Sequence, residues 1–133
     1  MKMILAGCLA LWLALLWDRK LRSIGIYERV RIGILIPVGE ELFKFGIAFI
    51  FNLHPTILYF IFGCGEGLYE MFHSKKKMGF LLLAAGILTH TFFGVFYLLK
   101  LSIWFSFIAA LTSHLIWNNA IMGLQNHYNG RSN

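Results

Sequence analysis

Apolar positions fall into five long stretches separated by short polar ones, at about residues 3–17, 32–52, 55–72, 78–99 and 101–124. A helix needs roughly 20 apolar residues to cross the hydrocarbon of a bilayer. The last four stretches are close to that length. The first is short unless it tilts or thins the membrane. The pattern predicts an all-α protein, a polytopic membrane helix bundle of about five transmembrane helices. No Gly/Ser-rich linker or large polar segment interrupts it. One integral membrane domain is therefore expected over residues 1–133. Residues 1–31 form the first span and a basic loop, 32–124 a four-helix core, and 125–133 a polar tail.

Composition points the same way. The chain is 59% hydrophobic and 14% charged, with a mean hydropathy of +0.70. Soluble domains carry about 25% charged residues, and a chain of 133 residues is too short to bury this much apolar surface from water. The net charge of +6 does not signal nucleic acid. Its basic residues sit in two blocks, WDRKLRSIGIYERVR and HSKKK, each between apolar runs. That is how cytoplasmic loops look under the positive-inside rule. The two loops are two crossings apart and must share a side. The N-terminus is then outside and the tail with Arg131 inside, with turns at His54-Pro55 and Lys100 on the outer face. A prokaryotic inner membrane is the expected location. Cys8 and Cys64 lie in apolar runs and form no CxxC motif, as small buried residues do. LAGC at 5–8 lacks the apolar run that precedes a lipoprotein cleavage site.

Against this background a few residues are expensive. Ionisable groups inside a membrane usually face the bundle interior and mark function. Here they are Glu40, Glu41 and Lys44 on the second span, Glu66 and Glu70 on the third, His90 on the fourth and His114 on the fifth, with Asn118 beyond it. Residues three or four apart share a helix face, so each group forms a stripe. At a rise of 1.5 Å per residue, Glu40 and Glu41 lie roughly 12–14 Å from the cytoplasmic end, Glu66 and Glu70 roughly 3–10 Å, His90 about 18 Å, His114 about 15 Å and Asn118 about 9 Å. Four helices thus place polar groups between the midplane and the cytoplasmic face. One shared polar cavity is expected. Gly63 and Gly67, with Gly86, Gly94 and Gly123, would allow close helix approach.

A carboxylate in a low-dielectric cavity can act as a general base, and two adjacent ones resist ionising together. Imidazoles can share a proton, bind a metal or donate to an oxyanion. An amide donates without charge. Together these groups suit a hydrolytic site that activates water. Ser113 points about 100° from His114 around the helix and is a poor nucleophile.

GEELFK at 39–44 resembles the EExxK signature of the PrsW family of intramembrane proteases, which belongs with the CAAX-processing and bacteriocin-processing glutamic endopeptidases. GLYE at 67–70 resembles the end of that family's second motif, closing on Glu70. THTFFG at 89–94 resembles the third, at His90, and SHLIWN at 113–118 the HxxxN motif of His114 and Asn118. The four come in the family's order over about residues 33–123. The resemblance implies hydrolysis of a peptide bond in a membrane-anchored protein or peptide within the lipid bilayer. Glu40 and Glu41 would activate water, with Lys44 of the same motif in support. His90 would bind or polarise the water, and His114 with Asn118 would hold the oxyanion. Glu70 would be the second motif's acid. Glu66 has no role in the family pattern and is expected to support the site, by pairing with Lys44 or by setting the charge of the cavity; relatives usually have additional spans. Family members are often described as metalloproteases. Zinc on His90, His114 and a carboxylate is compatible with the sequence but not required, and HExxH is absent.

Two other classes fit less of the pattern. A non-catalytic membrane scaffold or immunity protein could retain the same fold. A proton or cation carrier could use a carboxylate–histidine chain, but no charged relay continues to the outer face.

Overall fold

A computed structural model describes residues 1–73 and 76–129. Lys75 of the second basic loop and Arg131 of the tail lie outside the described residues. Among those residues the regular structure is entirely helical, with no strand. In chain order the helices are α1 (Lys2–Ser23), α2 (Glu28–Val30), α3 (Ile36–Ile50), α4 (Pro55–His73), α5 (Lys76–Val95) and α6 (Ile103–Asn129). A π-helical turn, Arg31–Leu35, joins α2 to α3, and a 3₁₀ turn, Phe96–Leu98, follows α5.

The first helix is longer than its apolar run. It continues past Trp17 into the basic segment and spans 22 residues. Asp18 and Arg22, one turn apart, are paired there at 2.7 Å, so the polar end is stabilised as helix rather than left as loop. Gly25, in the left-handed region at φ 70°, ends the turn. The turns at 51–54 and 99–102 fall where His54-Pro55 and Lys100 suggested.

Small residues decide how the helices meet. Ala6, Ala10 and Ala14 recur every fourth position on α1 and are buried against Ile47, Ala48, Leu58 and Phe62 of α3 and α4. The closest approach is between α4 and α5. A Cβ on Gly63 would lie 2.6 Å from the Gly86 carbonyl oxygen, and one on Gly67 would lie 2.8 Å from that of Leu83. Neither obstacle is a side chain that can swing away. Gly63→Ala is expected to cost about 1–3 kcal/mol through overpacking, read as a lowered thermal midpoint. Gly46→Ala, with nothing within 4 Å of the new carbon, is expected to leave that midpoint unchanged or raise it.

Charged and polar side chains are buried beside an apolar core, while the outer faces are rich in large apolar side chains. Buried positions include Arg31, Glu40, Glu41, Lys44, His90, Ser106 and His114. The outer faces carry large apolar side chains, with Phe49 78% exposed, Phe72 76% and Phe80 74%. Two helical stretches, Gly79–Leu98 and Ile103–Leu124, are long and apolar enough to cross a membrane.

Candidate functional site

The polar stripes of α3, α4, α5 and α6 meet in one buried cluster. Lys44 and Glu41, both wholly buried, are joined at 2.5 Å. Glu41 also accepts from the Tyr59 hydroxyl and from His114 Nδ1, the latter at 2.8 Å. With Lys44 and His114 on Oε1 and Tyr59 on Oε2, both Glu41 oxygens are engaged. The Lys44 ammonium lies 3.2 Å from His90 Nδ1, and it sits over the rings of Tyr59 and Phe62 at 4.5 and 4.6 Å. His90 Nε2 in turn contacts Glu66.

These contacts assign the imidazole protons. An ammonium can only donate, so His90 Nδ1 accepts and its Nε2 carries the hydrogen given to Glu66. A carboxylate only accepts, so His114 Nδ1 carries a hydrogen given to Glu41. The lone pair on His114 Nε2 then faces Glu40 Oε2 at 3.8 Å. Glu40 Oε2 is buried and has no hydrogen-bond partner. It is the one carboxylate oxygen of the cluster that is sealed from solvent with its acceptor capacity unused. Phe93 stacks on His114 with centroids 5.0 Å apart, and the two imidazoles meet edge to face at 5.3 Å.

Two residues proposed from sequence lie elsewhere. Glu70 is exposed on α4 and makes no hydrogen bond among the described residues. Glu66, one turn earlier and partly exposed, is the α4 acid that reaches the cluster. It pairs with His90. The choice between them follows from where α5 crosses α4, at Gly63 and Gly67, which brings His90 level with Glu66. Asn118 is not aimed at the acids. Its Nδ2 donates to the Ile32 carbonyl at 3.1 Å, and the neighbouring Asn119 donates to that of Gly33 at 2.9 Å. Pro37 explains both bonds. It has no N–H to give to the carbonyl four residues back, Gly33, or five back, Ile32. The Ile36 amide bonds the Arg31 oxygen across the π turn. The two asparagines satisfy carbonyls that the helix leaves behind. Asn118→Ala leaves the part-buried Ile32 carbonyl without this donor and is expected to cost about 1 kcal/mol, measured by thermal unfolding beside wild type.

Tyr59 is a site residue that the sequence did not single out. It is fully buried, donates to Glu41 and lies 3.4 Å from the Tyr97 hydroxyl. Its signal was positional. Tyr59, Phe62, Gly63 and Glu66 follow the 3–4 residue spacing of one helix face.

Glu40, His90 and His114 each offer an atom within 4.8 Å of the others, close enough to suggest a metal ion. The donors do not fit one as they stand. Both His90 nitrogens are engaged, one by a cation, and a divalent ion there would sit against the Lys44 ammonium.

Beside the cluster, a groove of about 500 Å³ lies between α5 and α6. Leu88, Phe92, Ile116 and Trp117 supply apolar walls, Thr89 and Ser113 line it too, and Phe93 separates it from His114. Ser113 faces this groove rather than any base. No protein-family model, no curated protein and no solved structure matches the chain.

Proposed function

We propose that this chain is a five-span integral membrane protein and an intramembrane endopeptidase resembling PrsW, hydrolysing a peptide bond of a membrane-anchored protein with a glutamate-activated water. The membrane reading is supported by ion pairs in the interior and large apolar side chains on the outer faces, and by two helices of crossing length. On this reading the basic end of α1 and the lysine-bearing start of α5 face the cytoplasm and the N-terminus lies outside.

The observation that carries the hydrolase reading is the unpartnered, buried Oε2 of Glu40 facing His114 Nε2. Burying an acceptor without a partner costs about 1–3 kcal/mol, and a water held between Glu40 and His114 removes that cost. Glu40 takes a proton from this water as its oxygen attacks the peptide carbonyl carbon. The proton passes to His114 Nε2, which keeps it and hydrogen-bonds the carbonyl oxygen as negative charge develops. As the tetrahedral intermediate collapses and the C–N bond breaks, His114 gives that proton to the leaving amine nitrogen, and both side chains regain their starting states. Glu41 has no free oxygen for this step. Its role is to hold Lys44, Tyr59 and His114 in register. Oxyanion donation falls to His114, because the Asn118 amide is committed to Ile32. The groove between α5 and α6 gives an apolar segment of substrate a route in the membrane plane to the Phe93 side of His114.

The test is cleavage of a membrane-spanning peptide by purified protein in detergent, with products identified by mass. Cleavage that persists with a strong chelator present is the expected result, since both His90 nitrogens are engaged, one of them by the Lys44 ammonium. Complete inactivity on a broad panel of membrane peptides would contradict the proposal and favour the scaffold reading. That reading draws on the saturated Lys44–Glu41 pair, which would also fix helix register.

A further inference from the structure

A second cavity, of about 390 Å³, shares no lining residue with the cluster or with the α5–α6 groove. Its walls are Trp12, Leu15, Leu16, Asp18, Arg19 and Arg22 of α1, with Tyr69 of α4. The α1 residues follow the 3–4 residue spacing of one helix face. Along that face the chemistry changes in order. Trp12, Leu15 and Leu16 are apolar, and Arg19 and Arg22 begin about 4–5 Å further along the axis from Leu16. Asp18 lines the cavity too, but its charge is already covered. Its Oδ2 accepts from Arg22 Nε and Nη2 at 2.9 and 2.7 Å, and its Oδ1 from buried Arg31. Arg19 has no hydrogen bond or ion pair among the described residues.

We propose that this cavity binds one anionic phospholipid of the cytoplasmic leaflet. Its phosphate would lie against Arg19 and Arg22, and an acyl chain would run along Trp12, Leu15 and Leu16 beneath Tyr69. Charge complementarity selects the phosphate, and the apolar half of the same cavity selects its source. A free phosphate has no use for an indole and two leucines. The slot runs from the basic end of α1 toward the middle of the helix, as a lipid in that leaflet does. Juxtamembrane arginines attract anionic lipid by about 1 kcal/mol each. Holding Arg22 and Arg31 on one carboxylate also fixes α1 to the π-helical turn that leads into α3, so the lipid would clamp the helix whose Trp17 bonds the Leu35 carbonyl next to the site. The inference rests on the membrane reading and not on the hydrolase reading.

The experiment uses the whole chain purified in micelles with equal phosphatidylglycerol and phosphatidylcholine, with bound lipid counted by native mass spectrometry. One retained phosphatidylglycerol is expected. Arg19→Ala is expected to weaken its retention about fivefold, and Arg19→Ala with Arg22→Ala about 25-fold. Lys100→Ala is the unaffected control. Arg19 is exposed and Arg19→Ala breaks no hydrogen bond or ion pair among the described residues, and an unchanged thermal midpoint confirms that its result does not come from altered folding. Equal retention of the two lipids, an unchanged Arg19→Ala, or displacement by glycerol phosphate at matched concentration would each overturn the proposal. Alkaline carbonate extraction separates the two layers of inference. Release of wild type from membranes defeats the membrane reading itself, while retention without a lipid preference defeats this proposal alone.

Discussion

Glu40→Gln is expected to lower peptide hydrolysis by about 10²–10⁴, the range for loss of a general base, and to leave the protein folded. The two halves of that expectation have separate origins. The Glu40 carboxylate makes no hydrogen bond through Oε2, so an amide of the same shape removes no contact from that atom. It does remove the capacity to take a proton from water. A thermal midpoint within a few degrees of wild type, with cleavage reduced at least a hundredfold, is the expected pair of results. Unchanged cleavage would remove Glu40 as the base. A large loss of stability would show that its carboxylate is a structural group.

The opposite signature is expected one turn along the helix. Lys44→Met removes the only cation among the groups contacting Glu41 and leaves that carboxylate buried with two donors. Breaking a buried pair by removing one partner costs about 3–5 kcal/mol. Replacing both partners with groups of similar shape is often neutral. Lys44→Met is therefore expected to unfold at a much lower temperature than wild type, and Glu41→Gln with Lys44→Met to regain most of the difference. The double variant would still lack activity, because His114 loses the carboxylate that orients it. Additive losses in the two single variants would mean that the pair is not coupled, and the geometry of the site would have to be abandoned.

Much of the arrangement was legible from side-chain type and spacing. Glu40, Glu41, Lys44, His90 and His114 are costly in an apolar stretch, and each sits at a height along its helix that lets the three helices α3, α5 and α6 bring them together. The helical class followed from the length of the apolar runs. The parts that were not legible depend on details of backbone contact. Glu66 and Glu70 lie on one stripe, and only the crossing of α5 over Gly63 and Gly67 decides which meets His90. Asn118 had the right spacing from His114 to serve the same site, but the carbonyls left by Pro37 claim its amide. Tyr59 is one of five tyrosines and thirteen phenylalanines, and an aromatic in an apolar run does not announce that it caps a carboxylate. The true length of α1 was hidden because Asp18 and the arginines around it ended the apolar pattern without ending the helix.

The gathering of these groups is tested most directly by ¹⁵N resonances of the histidine rings in protein labelled at histidine and held in detergent micelles, with His90→Gln and His114→Gln as assignments. Fixed tautomers of opposite kind are expected, with the hydrogen on Nε2 in His90 and on Nδ1 in His114. Glu66→Gln should shift the first, and Glu41→Gln the second. Two imidazoles averaging rapidly between tautomers, and indifferent to both substitutions, would contradict a single buried cluster.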